Sequence, residues 1–211
     1  ATLNGKKAGN FGHIGIFSLH QRKNIPSGEG GVIVCKNKKF ANSIYKMRSF
    51  GHSELSYNYR MSEFSAVLAS YFLKKVDEEN IIRKKNADYL IEKLKNNKKI
   101  KFIYPDKNRK SSFYKLIMSF NLNRKIKLDN IVNRLNKINL PVSRVYLPLN
   151  IHSNFNRKNL KKLNIKQDKT SNKFPITSHA YNNKLLQIDI NSLTKSYHLN
   201  YLVKHLQNLK L

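Results

Sequence analysis

The chain has 211 residues, of which 40% are hydrophobic, and a formal charge of +29. That length suits one large domain or two small ones, and the apolar content excludes a disordered chain. The single cysteine, Cys35, excludes an internal disulfide framework and fits a reducing cytoplasm; no apolar run approaches the roughly 20 residues of a membrane-spanning helix.

Taken alone, the charge argues for a polyanionic partner. The distribution argues against a nucleic-acid footprint. Lys38-Lys39, Lys74-Lys75, Lys84-Lys85, Lys98-Lys99 and Lys161-Lys162 are separate pairs, not one arm. Lys, Asn, Ile, Tyr and Phe are abundant together, the pattern of an AT-rich coding sequence. The first residues, Ala1 to Lys7, lack the apolar core of a secretory signal. They also lack an initiator Met, which points to truncation.

In chain order, Ile14–Ser18 is expected to be a buried strand entering a loop from His20 to Ser27. Gly28-Glu29-Gly30-Gly31 closes that loop, and Val32–Cys35 is expected to be a second buried strand. A helix follows from about Phe40 to Arg48, with Gly51 as its stop. Glu54–Met61 is irregular. Ser62 is the expected N-cap of a helix from Glu63 to about Val76, with Phe64, Val67, Leu68, Tyr71 and Leu73 on or near one face. Past the acidic Asp77-Glu78-Glu79, a second helical pattern continues to about Lys95.

After Asn97 the pattern changes. Ile100–Tyr104 and Phe113–Phe120 read as strands around a polar turn at Asp106–Lys110. Leu128–Ile138 reads as an amphipathic helix and Val142–Leu147 as a third strand. His152–Lys173 is a polar excursion, and helices at His179–Leu186 and Tyr197–Leu209 close the chain. Alternating strands and helices make this tail an α+β domain. The boundary is expected near residue 80, giving domains 1–80 and 81–211.

Two segments carry chemistry. The first runs Gly12-His13-Ile14-Gly15-Ile16-Phe17-Ser18-Leu19-His20-Gln21-Arg22-Lys23-Asn24, then Gly28-Glu29-Gly30-Gly31. The second is Tyr57-Asn58-Tyr59-Arg60-Met61-Ser62-Glu63, with Phe50-Gly51 between the two. In this order they resemble the lysine loop and the following "GyNyRmsel" segment of the DegT/StrS family of sugar aminotransferases. The close resemblance runs from about Lys7 to Asp88. Beyond it only Pro148-Leu149 and Phe174-Pro175 look familiar.

The resemblance implies an α/β fold: the distal part of a fold-type-I aminotransferase large domain, followed by a small α+β carboxy-terminal domain. It implies pyridoxal 5'-phosphate (PLP) as cofactor, carried by Lys23. A lysine at the carboxyl end of a strand suits this role, because α/β sheets bind ligands there. Ser18 would donate to the cofactor phosphate, and Asn58 to the phosphate of a neighbouring subunit's cofactor, giving a homodimer with shared active sites. Arg60 would receive the amino donor's carboxylate or position the phosphate loop. His20 either stacks on the cofactor or is a loop histidine. Gly28, Gly30 and Gly31 read as turn formers, Glu29 as structural and Arg22 as a surface charge. No metal is implied.

The implied reaction moves an amino group from glutamate or glutamine to a ketosugar nucleotide or keto-cyclitol in cytoplasmic polysaccharide or glycan synthesis. The chain departs from the family at His13 (usually Asp), Ser56 (usually Gly) and Ser178 (usually Glu). Leu186-Gln187-Ile188-Asp189-Ile190 stands where the family has "LPlhP". The family's pyridine-pairing aspartate and its cofactor-stacking ring lie in a preceding segment. Without them Lys23 is expected to catalyse poorly, so the competing readings are a catalytically incomplete binding or split-partner module and, behind it, a basic nucleic-acid-binding protein.

Overall fold

The computed structural model describes residues 1–50, 55–122, 126–152, 161–162 and 174–209. The expected helix stop at Gly51 and most of the polar stretch from His152 to Lys173 lie outside them. The chain forms two compact units: Ala1–Lys84 with Pro105–Tyr114, and Lys85–Tyr104 with Lys115–Leu211.

The first unit begins with a hairpin of β1 (Thr2–Leu3) and β2 (Lys6–Lys7). Asn4 and Gly5 turn it, with φ of 50° and 76°. Two successive positive φ values are what a two-residue hairpin with right-handed strand twist needs, and Asn-Gly supplies them at least cost. The other edge of β1 pairs with β6 (Arg109–Lys110), giving the order β2-β1-β6. None of this small sheet was expected from the strand patterns above, although Asn-Gly is a strong short-range hairpin signal.

Next, β3 (Ile14–Ser18) pairs antiparallel with β4 (Gly31–Cys35), from Ile14 opposite Cys35 to Ser18 opposite Gly31. Both strands lie where expected, but they are not buried. Ile16 is 78% exposed, and Ile14, Phe17, Val32 and Ile33 are also exposed. β-branched and aromatic residues favour the pleated backbone, whereas burial needs a layer packed on it. Within the described residues this pair has no such layer on those side chains.

Helix α1 (Lys38–Arg48) starts at Asn37, whose Oδ1 accepts from the Lys39 and Phe40 amides at 2.8 and 3.4 Å. Lys46 and Arg48 sit in its last turn, where the helix dipole favours cations. Helix α2 (Glu63–Leu94) is one 32-residue helix, not two. Ser62 caps it as expected, its Oγ accepting from the Ser65 amide at 3.2 Å. No Gly or Pro interrupts Glu63–Leu94, and Glu79 reaches Arg83 one turn on at 2.6 Å. The acidic triplet is therefore carried within the helix. Phe64, Val67, Leu68, Tyr71 and Leu73 are all exposed.

The second unit is an antiparallel sheet of β5 (Ile100–Phe102), β7 (Leu116–Phe120), β9 (Leu185–Ile188) and β8 (Val142–Arg144), in that order. Along β7, Leu116, Met118 and Phe120 alternate inward. The buried set includes Leu90 and Leu94 of α2, Leu128, Ile131 and Leu135 of α3 (Leu128–Asn136), and Leu199, Leu202 and Leu206 of α5 (Ser196–Gln207). The core of this unit therefore lies between amphipathic helices and the sheet, an α+β arrangement.

Three expectations for this unit are corrected. The strand expected from Phe113 begins at Leu116, because Phe113 has φ 46°, outside the extended region. The strand from Val142 ends at Arg144. The helix expected through Leu186 ends at Asn183 as α4 (Pro175–Asn183), and Leu185–Ile188 is instead the β9 strand between β7 and β8. Pro175 opens α4 at its first turn, where a missing amide costs nothing.

Candidate functional site

The β3–β4 ladder continues beyond the strands into the loop that carries Lys23. The Leu19 amide donates to Gly30 O at 2.9 Å and the Gln21 amide to Gly28 O at 2.7 Å. Buried Ser27 closes the base. Its amide and its Oγ donate to Leu19 O at 2.9 and 3.2 Å, and the same Oγ lies 3.4 Å from Glu29 O. Leu19 is buried beneath the loop.

On that base Ser18 is exposed at the strand end, and its Oγ lies 3.4 Å from the His20 amide. Nδ1 of His20 accepts from the Arg22 amide at 3.2 Å, so Nε2 carries the proton of the neutral ring. Nε2 faces Glu29 Oε1 at 3.7 Å. Both nitrogens of His20 thus face loop partners. The Lys23 amide donates to His20 O at 2.8 Å. The Lys23 side chain is half-buried, with Nζ 4.8 Å from the centroid of the Tyr114 ring. Asn24 Nδ2 donates to Ser112 O at 3.2 Å.

The second segment runs along the end of α1. The Tyr57 amide donates to Met47 O at 3.0 Å, the Phe50 amide to Tyr57 O at 2.9 Å, and the Tyr59 amide to Arg48 O at 2.9 Å. Tyr57 and Tyr59 stack with centroids 4.8 Å apart. Asn58 is exposed between them, and its Oδ1 accepts from Arg60 Nε at 3.0 Å. The Arg60 guanidinium lies 4.6 Å from the Phe50 ring centroid.

Ser18, at the end of β3, therefore leads into the loop that carries His20 and Lys23. Asn58 and Arg60 partner each other beside α1. The two segments approach through Met61, whose side chain lies against Gly30. The sequence reading missed Tyr114 and Ser112, because nothing local marks a contact between residues 88 positions apart, the separation of Asn24 and Ser112. Among the described residues, no group of three His, Cys, Asp or Glu side chains could hold a metal, and no helix is long and apolar enough to cross a membrane.

The arrangement offers an amine in a half-buried loop, a hydroxyl at a strand end, and a separate amide–guanidinium pair. An amine of this kind can join a carbonyl compound, while the hydroxyl, amide and guanidinium can receive anions.

Comparison with known proteins gives three kinds of match. Residues 1–207 match the model of the DegT/DnrJ/EryC1/StrS aminotransferase family. A UDP-4-amino-4,6-dideoxy-N-acetyl-beta-L-altrosamine transaminase from Campylobacter jejuni is 39% identical over 83 residues, 35% of this chain and 22% of that protein. Among solved structures, an aminotransferase from Psychrobacter cryohalolentis superposes with a TM-score of 0.81 at 18% identity, covering 97% of this chain and 57% of the other. An Escherichia coli GDP-4-keto-6-deoxy-D-mannose-3-dehydratase with bound hydrated PLP gives 0.78 at 20% identity, covering 97% and 57%. The chain thus spans little more than half the length of the solved chains it matches. At these identities the structural likeness establishes the fold.

Proposed function

The chain belongs to the DegT/DnrJ/EryC1/StrS aminotransferase family, and on that premise we propose that it supplies the cofactor-bearing lysine of a PLP-dependent sugar aminotransferase. The observation that carries this reading is the placement of Lys23: half-buried, five residues past Ser18, on a loop whose base is fixed by Ser27. The donor set fits the cofactor. Lys23 offers the amine for its aldehyde, and Ser18 offers an exposed hydroxyl for its phosphate. When bound, PLP supplies an electron sink for the carbon that exchanges its amino group.

In this reading Lys23 would hold the cofactor through its amine and, once that amine is free, would carry the proton at the reacting carbon. Ser18 Oγ donates to the phosphate. Asn58 spends its oxygen on Arg60, so its nitrogen end is the one that would donate to a phosphate, in this case a neighbouring subunit's. Arg60 receives the carboxylate of the amino donor, glutamate or glutamine. His20, in the same loop as Lys23, accepts from the Arg22 amide and faces Glu29, and from there its ring would stack on or hydrogen-bond the cofactor. The acceptor is a ketosugar nucleotide or keto-cyclitol; the name of the Campylobacter relative supports the nucleotide-sugar alternative. Residues 1–80, joined by Pro105–Tyr114, would form the end of the cofactor domain, and the rest of 81–211 the small domain, of a cytoplasmic homodimer that feeds polysaccharide or glycan synthesis.

The test is covalent labelling. The chain is mixed with PLP, reduced with borohydride and mapped by peptide mass. Label concentrated on Lys23, and lost in Lys23→Ala without appearing elsewhere, is the expected result. Label spread evenly over the lysines would sink the assignment.

A further inference from the structure

Lys23 has a partner outside its own loop. Its Nζ lies over the Tyr114 ring at 4.8 Å, and the next residue, Asn24, is tied to Ser112 O. Both partners belong to Pro105–Tyr114, which is part of the first unit. That segment is itself anchored. Arg109 and Lys110 pair with Leu3 and Thr2, and the Asn4 amide donates to Asn108 O at 2.8 Å.

The backbone at Tyr114 is equally specific. Phe113 is 3% exposed and has φ 46°. A bulky residue in the left-handed region is a genuine outlier, and such strain persists only where the surroundings over-determine it. Ser111 Oγ accepts from the Phe113 amide at 2.9 Å and holds the bend. The bend lets consecutive aromatic residues serve different surroundings: Phe113 is buried, and Tyr114 lies under the Lys23 amine.

We propose that Tyr114 is a positioning residue for Lys23: its ring face holds the free ammonium at a defined place in the loop whenever the amine is not joined to a cofactor. The proposal rests on the reading of Lys23 as the cofactor lysine. The physical case is one of strength. A lysine stem has many rotamers, and an ammonium on a ring face is held weakly, by a factor of about two to five in population. A carboxylate at that place would bind the amine as an ion pair and oppose its release. An aromatic face orders the amine and still lets it go.

The experiment uses the 211-residue chain with ¹³Cε-labelled lysine, the Lys23 resonance being assigned by its loss in Lys23→Arg. In the wild type, the Lys23 ε-methylene protons should lie upfield of the other lysines through the ring current. Tyr114→Phe should keep that shift and Tyr114→Leu should abolish it. Labelling of Lys23 by a small amine-reactive probe, relative to the other lysines, should rise about two- to five-fold in Tyr114→Leu and stay unchanged in Tyr114→Phe. A wild-type Lys23 resonance inside the envelope of the other lysines would overturn the proposal without need of any variant. Unchanged labelling in Tyr114→Leu would also overturn it. Failure of the cofactor reading is separately visible: PLP would then label other lysines while the ring-current shift stood.

Discussion

The side chain of Met61 occupies the space that a Cβ on Gly30 would need: such an atom would lie 2.7 Å from Met61 Cε. This contact joins the lysine loop to the segment of Asn58 and Arg60, and Gly30 has φ 140°, where side chains are strongly disfavoured. Two costs therefore meet in Gly30→Ala. The clash is with the far end of a flexible side chain and is readily relieved. The backbone strain is not, and it should destabilise the protein by about 1–3 kcal/mol. Urea unfolding should show that loss, with little recovery in Gly30→Ala/Met61→Ala. Full recovery in the double variant would show that the clash, not the backbone, sets the cost.

Ser27 has a different role at the same loop. It is 2% exposed, and its hydroxyl donates to Leu19 O. Ser27→Ala should cost about 1 kcal/mol, the net worth of a buried hydrogen bond. Amide exchange at Leu19 and Gln21 should quicken more than at β9. Unaltered exchange would mean that the Ser27 backbone bond alone secures the loop.

Arg83 of α2 is 5% exposed, with Nη2 2.6 Å from Glu79 Oε2 and Nη1 3.0 Å from Asn80 Oδ1. Removing its carboxylate in Glu79→Ala leaves a buried cation without its countercharge. The loss should be about 3 kcal/mol, and Glu79→Leu/Arg83→Met should lose much less. Denaturant melts of the two variants decide it: equal losses would mean that the ion pair itself is net stabilising.

Leu186 is fully buried on β9, opposite Met118 of β7 and Arg144 of β8. Leu186→Ala should cost about 2–5 kcal/mol, the range for a large-to-small change in a packed core. A loss below 1 kcal/mol in chemical denaturation would contradict the central place of this strand.

The same strand shows where sequence reasoning stops. Asn183, Lys184 and Leu185 pass from helix to strand with no Gly or Pro between them, so the apolar pair Leu185-Leu186 continues a helical pattern as readily as it starts a strand. The Asn4-Gly5 turn is a local hairpin signal, but the two-residue strands that flank it show no periodicity to mark them. At Ile14–Ser18 and Val32–Cys35, side-chain type marked the strands correctly and said nothing reliable about burial. A lysine in a polar loop is by itself a solvated charge. The lysine loop was legible only through its resemblance to the family's segment, which is carried by a continuous stretch from Gly12 to Gly31. Tyr114 was not, because its position under Lys23 depends on the Phe113 bend and on pairing with the first residues of the chain.

That difference between local and distant contacts also sets an order of assembly. The hairpin carrying Lys23 closes between Ile14 and Cys35, whereas the Asn24–Ser112 bond closes 88 residues. Closure entropy grows with the length enclosed, and non-local contacts form late. Refolding should therefore protect the Leu19 and Gln21 amides before that of Asn4, which donates to Asn108 O; pulse-labelled hydrogen exchange reads that sequence directly. During refolding, then, the amine is presented before its aromatic seat exists, and this interval is when a stray carbonyl compound would find Lys23 least guarded.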